Sequence, residues 1–156
     1  MNSDCPEIVL YHPSLKSFFK DLNEEWLNKY YFVTEEDSKI LTDPEKIIND
    51  GGCVLFARLN NEIIGTCALI KESDAEYEIA KMGVAEKARG KKAGYELMKA
   101  IIEEAIKRKA KLVSLETAVR LEAAVSLYKK FNFIQVSEER IHSVFGRKTF
   151  RMELKI

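Results

Sequence analysis

The chain has 156 residues, 46% hydrophobic and 32% charged, a composition suited to a single globular domain (1–156) that buries a core without disulfide or metal staples. Its 25 basic and 25 acidic side chains cancel, so no overall field draws it to nucleic acid or an anionic membrane. No run approaches the roughly 18 apolar residues of a membrane span, and with no secretory leader pattern a cytoplasmic location is the expectation. Of three cysteines without metal-type spacing, Cys53 and Cys67 lie in apolar runs and read as reduced small hydrophobes.

In chain order, Glu7 to Tyr11 predicts a first strand, stopped by Pro13. Leu15, Phe18, Phe19, Leu22, Trp26, Leu27 and Tyr30 then recur at helical spacing, predicting an amphipathic helix whose aromatic stripe reads as core. Thr34 with Asp37 forms a capping-box pattern, and Glu35, Glu36 and Asp37 read as a solvated first turn. Asp43-Pro44 opens a short helix that Gly51-Gly52 closes. Cys53 to Leu59 and Glu62 to Ile70 flank Asn60-Asn61, residues that tolerate positive φ, and predict a hairpin. Past the polar turn Lys71 to Glu76, the strand Tyr77 to Val84 completes a meander.

A short basic loop with small residues, Ala85 to Ala93, leads from that strand into an amphipathic helix from Gly94 to about Arg108. Such a turn collects unpaired amides and the positive end of a helix dipole at one spot, which suits a phosphate or pyrophosphate. The helix is expected to bury Leu97, Met98, Ile101 and Ala105 with Ile102 and Ile106. Leu112 to Thr117 reads as a strand, and Leu121, Ala124, Val125 and Tyr128 mark a helix ending near Phe131. Asn132 suits a left-handed exit, and Phe133 to Ser137 and Phe145 to Ile156 read as the last two strands. His12 and His142 have no partner legible in the sequence.

The order of elements, the loop Arg89-Gly90-Lys91-Lys92-Ala93-Gly94 after a strand, and the Leu115-Glu116-Thr117 … Leu127-Tyr128-Lys129-Lys130-Phe131-Asn132-Phe133 segment resemble a GCN5-related N-acetyltransferase of the GNAT superfamily. The resemblance implies an α+β fold with a central mixed, mostly antiparallel sheet and helices on both faces. The family's Q/R-x-x-G-x-G/A loop maps onto Arg89, Gly90, Lys91, Lys92, Ala93 and Gly94, the implied grip on the pyrophosphate of acetyl-CoA. Lys92 stands where the first glycine is required, no asparagine lies between Glu116 and Tyr128, and Asn132 replaces the usual glycine.

By the same resemblance the strand before the loop carries a bulge and receives the pantetheine arm as an added strand. Backbone groups of Met82, Gly83 and Val84 are then expected against it, with an amide near Met82 as oxyanion donor. Glu78 takes the place of the general base, with Glu116 or a water chain as the other candidates, and Tyr128 that of the general acid. The activity implied is direct, metal-free transfer of an acetyl group from acetyl-CoA to a primary amine of a small molecule or peptide in a ternary complex. Acceptor choice would lie with the N-terminal helices and the final hairpin, and a homodimer is compatible with the family. The alternative is a degenerate acyl-CoA-binding sensor or interaction module.

Overall fold

The computed structural model describes residues 5–156; the four residues before them, where the expectation of no secretory leader partly falls, lie outside the described residues. The order is β1 (Glu7–Leu10), α1 (Lys16–Tyr30), α2 (Glu35–Leu41), α3 (Pro44–Asn49), β2 (Cys53–Leu59), β3 (Glu62–Lys71) and β4 (Glu76–Val84). Then come α4 (Ala93–Lys107), β5 (Leu112–Thr117), α5 (Glu122–Lys130), β6 (Ile134–Gln135), β7 (Arg140–Ile141) and β8 (Lys148–Lys155). The sheet runs β1-β2-β3-β4-β5-β8-β6, with β7 also on β8. Every pairing is antiparallel except β4 with β5, which are parallel and joined through α4. Parallel neighbours require a crossover of this kind.

The turns form where the residue types permit them. Asn60 and Asn61 join β2 to β3 with φ of 51° and 64°, and Asn132 leaves α5 at φ 70°. Gly65 and Gly83 sit at adjacent rungs of the β3/β4 ladder, so their side-chain directions lie on opposite faces of the sheet. A Cβ at Gly83 would stand 2.8 Å from the Leu22 carbonyl of α1, and one at Gly65 would stand 3.1 Å from Leu97 of α4. The two long helices therefore cover opposite faces, and Gly83 is the point where α1 lies directly on backbone. Leu97, Met98 and Ile101 of α4 are fully buried, each worth about 1.5–3 kcal/mol of transfer free energy.

The β4 strand is irregular in two places. Thr66 pairs with Gly83 but Ala68 pairs with Ala80, so Cys67 faces both Lys81 and Met82 and the strand bulges there. Lys81 occupies the bulge with φ 52°. In addition, β4 and β5 pair only from Glu76/Leu112 to Glu78/Ser114, although β4 continues to Val84 and β5 to Thr117. Past Glu78 the two strands part.

Four expectations are corrected. The last two strands are shorter than the alternation suggests, because Phe145 lies in the turn before β8 and a separate two-residue β7 precedes it. Ile106 is 52% exposed on the outer face of α4, where the helical phase carries it away from the sheet. In the aromatic stripe of α1, Tyr30 leaves the core and Trp26 packs at its edge, both facing a cleft, whereas Phe19, Leu22 and Leu27 pack inside. The first turn of α2 is not solvated at Asp37. Thr34 and Asp37 do form the reciprocal capping box, at 3.1 and 2.9 Å, but Asp37 has no exposed surface.

The Asp37 carboxylate accepts a 2.8 Å hydrogen bond from Lys81 in the β4 bulge and a bidentate pair from Arg147 before β8. Hydrogen bonds from Arg147, Lys81 and the Thr34 amide outweigh the burial that acts against ionisation, and hold its carboxyl well below the usual carboxylate range. Breaking a buried pair strands its partners, so Asp37→Asn should lower unfolding free energy by about 3–5 kcal/mol in urea titrations at neutral pH. Because the folded-state value is depressed, the ionised cluster stabilises fully above about pH 4 and loses that contribution as pH falls through the depressed value. The deficit of the variant should therefore shrink in acid; a constant deficit would place the effect in the cap alone.

Candidate active site

Where β4 and β5 part, a cleft of about 620 Å³ opens between α1, the two strands, α5 and the turn before β8. Its apolar walls include Trp26, Ile79, Met82, Leu115, Leu127 and Phe145. Glu78 stands at its apex, at the last register where β4 and β5 still pair. The residue is half-buried and makes no hydrogen bond or ion pair among the described residues. Burial, then the charges of Glu72 and Glu116, push its carboxyl up to about 7, against the pull of Arg151 and Lys81. A carboxylate poised near neutrality can accept a proton at working pH.

Tyr128 faces the same cleft from α5, its ring tilted against Phe133 at 6.4 Å. Protein packs closely around it while one side opens to the cleft, and burial with the neighbouring Cys67 pushes the phenol up to about 12. It therefore stays protonated at neutral pH, and its hydroxyl makes no hydrogen bond within the described residues. Glu116 also lines the cleft, but Arg140 holds its two oxygens at 2.7 and 3.2 Å. Of the two carboxylates considered as base, Glu78 is the unencumbered one.

The loop after β4 reaches one end of the cleft. Arg89 and Gly94 line it, while Gly90, Lys91, Lys92 and Ala93 form the turn beyond its wall. Gly90 and Lys92 both take left-handed φ, 78° and 63°. The first helical bond of α4 runs from the Glu96 amide to the Lys92 carbonyl at 3.0 Å. The amides of Lys92, Ala93, Gly94 and Tyr95 find no acceptor among the described residues, which is the donor set an anion needs. On β4, Met82 and Val84 line the cleft, whereas Gly83 turns toward α1.

Several contacts at the site join segments that no local pattern in the sequence connects. Arg120, after β5, donates to the Tyr30 carbonyl at 2.6 Å, and Arg89, after β4, donates to the Tyr30 hydroxyl at 2.6 Å. The end of α1 thus spans the mouth between the parted strands. His142 Nδ1 accepts from the amides of Val144 and Phe145 at 3.1 and 3.3 Å, which puts the proton of the neutral ring on Nε2, 3.9 Å from Glu116. Lys81 and Arg147 line the cleft as well. Of these residues the loop pattern singles out Arg89 and the aromatic spacing of α1 includes Tyr30, though that spacing equally describes core; Arg120, His142, Lys81 and Arg147 carry no local signal.

The sequence model of the Acetyltransferase (GNAT) family matches residues 15–133. The chain is 30% identical over 89 residues to the "Probable N-acetyltransferase camello" of Xenopus laevis, an alignment of 56% of this chain and 41% of that protein. The chain therefore spans about two fifths of the length of that curated relative. An acetyltransferase of Streptococcus agalactiae shares the fold at a TM-score of 0.83 and 20% identity, covering 97% of this chain and 98% of the other. The Salmonella typhimurium protein yncA, solved with its cofactor acetyl-CoA, superposes at 0.81 and 16% identity over 97% and 94%.

A lysine in left-handed conformation costs about 1–2 kcal/mol relative to its right-handed form. Lys92→Gly should relieve most of this, offset in part by the freer unfolded chain, and raise stability by about 0.5–1 kcal/mol in chemical denaturation. Equal or lower stability would mean that the Lys92 side chain compensates its own backbone.

Proposed function

The chain belongs to the acetyltransferase (GNAT) family, and from that premise we propose that it transfers an acetyl group from acetyl-CoA to a primary amine by direct attack. The observation that carries this reading is the pairing of an unpartnered Glu78 at the apex of the parted strands with an unpartnered Tyr128 hydroxyl on the same cleft. One group can take a proton at neutral pH and the other can give one. The orphaned amides at the start of α4 fit a pyrophosphate, so Arg89 to Gly94 would hold the nucleotide end of acetyl-CoA, with the Lys91 and Lys92 ammonium groups free to add charge. Backbone of Met82, Gly83 and Val84 would receive the pantetheine arm along the opened edge of β4.

When bound, acetyl-CoA supplies the activated acyl group. The Glu78 carboxylate removes a proton from the incoming ammonium, which titrates near ~10.4 when free and must be neutral to attack. The Met82 amide, beside the bulge, donates to the acyl oxygen as negative charge develops there, a role worth ~3 kcal/mol where such donors have been removed. The Tyr128 hydroxyl holds the proton for the departing sulfur. An acyl-CoA sensor without turnover would need neither a free carboxylate nor a free phenol in this cleft.

Acetyl-CoA should raise the melting temperature, and thiol release should follow with at least one amine of a broad panel; a shift without release throughout would favour the sensor. Tyr128→Phe should lower kcat about 100-fold with little change in coenzyme A affinity, within the range for a general acid. Since Glu78 acts only when ionised, kcat/KM should rise with pH through an inflection near 7. Glu78→Gln should lower the rate and remove that inflection. An inflection unchanged in the variant would assign the proton to another group.

A further inference from the structure

The buried ion cluster behind the cleft is unbalanced, and its imbalance faces the cleft. Lys81 and Arg147 both line the cleft, with side chains 10% and 13% exposed, while Asp37, the carboxylate between them, has no exposed surface and lies behind. Two cations share one anion there. The Lys81 ammonium uses one of its three hydrogens, on Asp37, and otherwise rests 4.2 Å from the centre of the Phe145 ring. Arg147 spends its terminal nitrogens on Asp37 and the Phe32 carbonyl and lies over Tyr31 and Phe145 at 5.3 and 5.2 Å, leaving its Nε without an acceptor. Aromatic faces soften the charge but accept no hydrogen bonds of ordinary strength.

A second observation points the same way. Among the described residues, the two buried side-chain polar atoms without any partner are the hydroxyls of Thr117 and Thr149, and both residues line this cleft. Buried polar groups in native proteins nearly always find a partner, so two orphans in residues that line the same cleft as two under-used cations point to a polar group supplied from the cleft. Glu116 does not fill that place, since Arg140 already holds it. Glu78 is reserved by its position for the amine, and it lies three residues before Lys81 on β4, roughly 10 Å of extended chain. An anion and an amine held at those two points belong to one small molecule.

We propose that Lys81 and Arg147, with Thr117 and Thr149, form a subsite for a carboxylate on the acceptor, so that the substrate class is a free amino acid, an amine and a carboxylate in one molecule. The inference rests on the acetyltransferase reading and specifies its acceptor. Asp37 then has two tasks: it neutralises one cation and it aims both at the cleft. A cationic polyamine or aminosugar would meet net positive charge at this end of the site.

The test compares α-, β- and γ-amino acids with their carboxamides and decarboxylated amines, at equal concentrations of the ammonium form and saturating acetyl-CoA, by thiol release. The best amino acid should exceed both of its uncharged counterparts in kcat/KM by about 10- to 100-fold, the scale of a charge-assisted contact. The variant Arg147→Gln leaves Lys81 and Asp37 as a balanced pair, and should bring that ratio to within a few fold of one; circular dichroism checks that it folds. Independently of turnover, N-acetylated amino acids should raise the melting temperature of the protein, with and without coenzyme A present, more than their amides do. Turnover or stabilisation equal or greater without the carboxylate, or a ratio untouched in the Arg147→Gln variant, overturns the subsite and leaves the acetyltransferase standing. Absence of any acetyl-CoA shift and any thiol release overturns the enzymatic reading, while the product-analogue shifts still judge the subsite.

Discussion

The proposed function depends on two neighbouring strands that keep their outer partners and lose each other. β4 stays on β3 to the Gly65/Val84 rung, and β5 stays on β8 along its whole length, yet the two share only three rungs. Parallel pairs carry slightly less stability per residue than antiparallel ones, so the β4/β5 seam is where a twisted sheet can open at least cost. The bulge at Lys81 adds to the divergence by bending β4 at the place where the seam has already failed. A half-open seam leaves backbone groups facing a cavity, and such groups need partners from water or a ligand.

Within that opening the charges divide according to whether they have partners. Asp37 is the more deeply buried carboxylate, yet Lys81, Arg147 and the Thr34 amide keep it ionised. Glu78 is less buried but receives no hydrogen bond, and desolvation moves it toward neutrality. One group contributes structure and the other is left reactive. The same logic separates Glu116, tethered to Arg140, from Glu78, although both sit on strands that border the cleft.

The border of the cleft is assembled from distant pieces tied together by a few polar contacts. Asp37 links α2 to the β4 bulge and to the turn before β8, Arg120 and Arg89 both reach the end of α1, and Glu116 holds β7 through Arg140. Each of these ties joins segments far apart in the chain at the border of the cleft.

Much of the framework was legible in the chain itself, because it follows from local rules. Periodicity located α1, α4 and the β2–β4 meander; residue type located the Asn60-Asn61 turn and the Thr34/Asp37 cap; and the loop pattern placed the unpartnered amides ahead of α4. Capping, turn propensity and alternation involve neighbours a few residues apart, so a linear string carries them. What only the tertiary structure decided was which polar groups meet. Asp37 finds Lys81 and Arg147 at separations of 44 and 110 residues, and no local rule tells that this capping aspartate is buried while Glu35 and Glu36 beside it keep contact with solvent. Trp26 and Tyr30 share a helical stripe with true core residues, and only the parting of β4 from β5 turned them toward a cleft. Burial and ion pairing depend on what the rest of the chain brings to a point in space, and that is settled by packing.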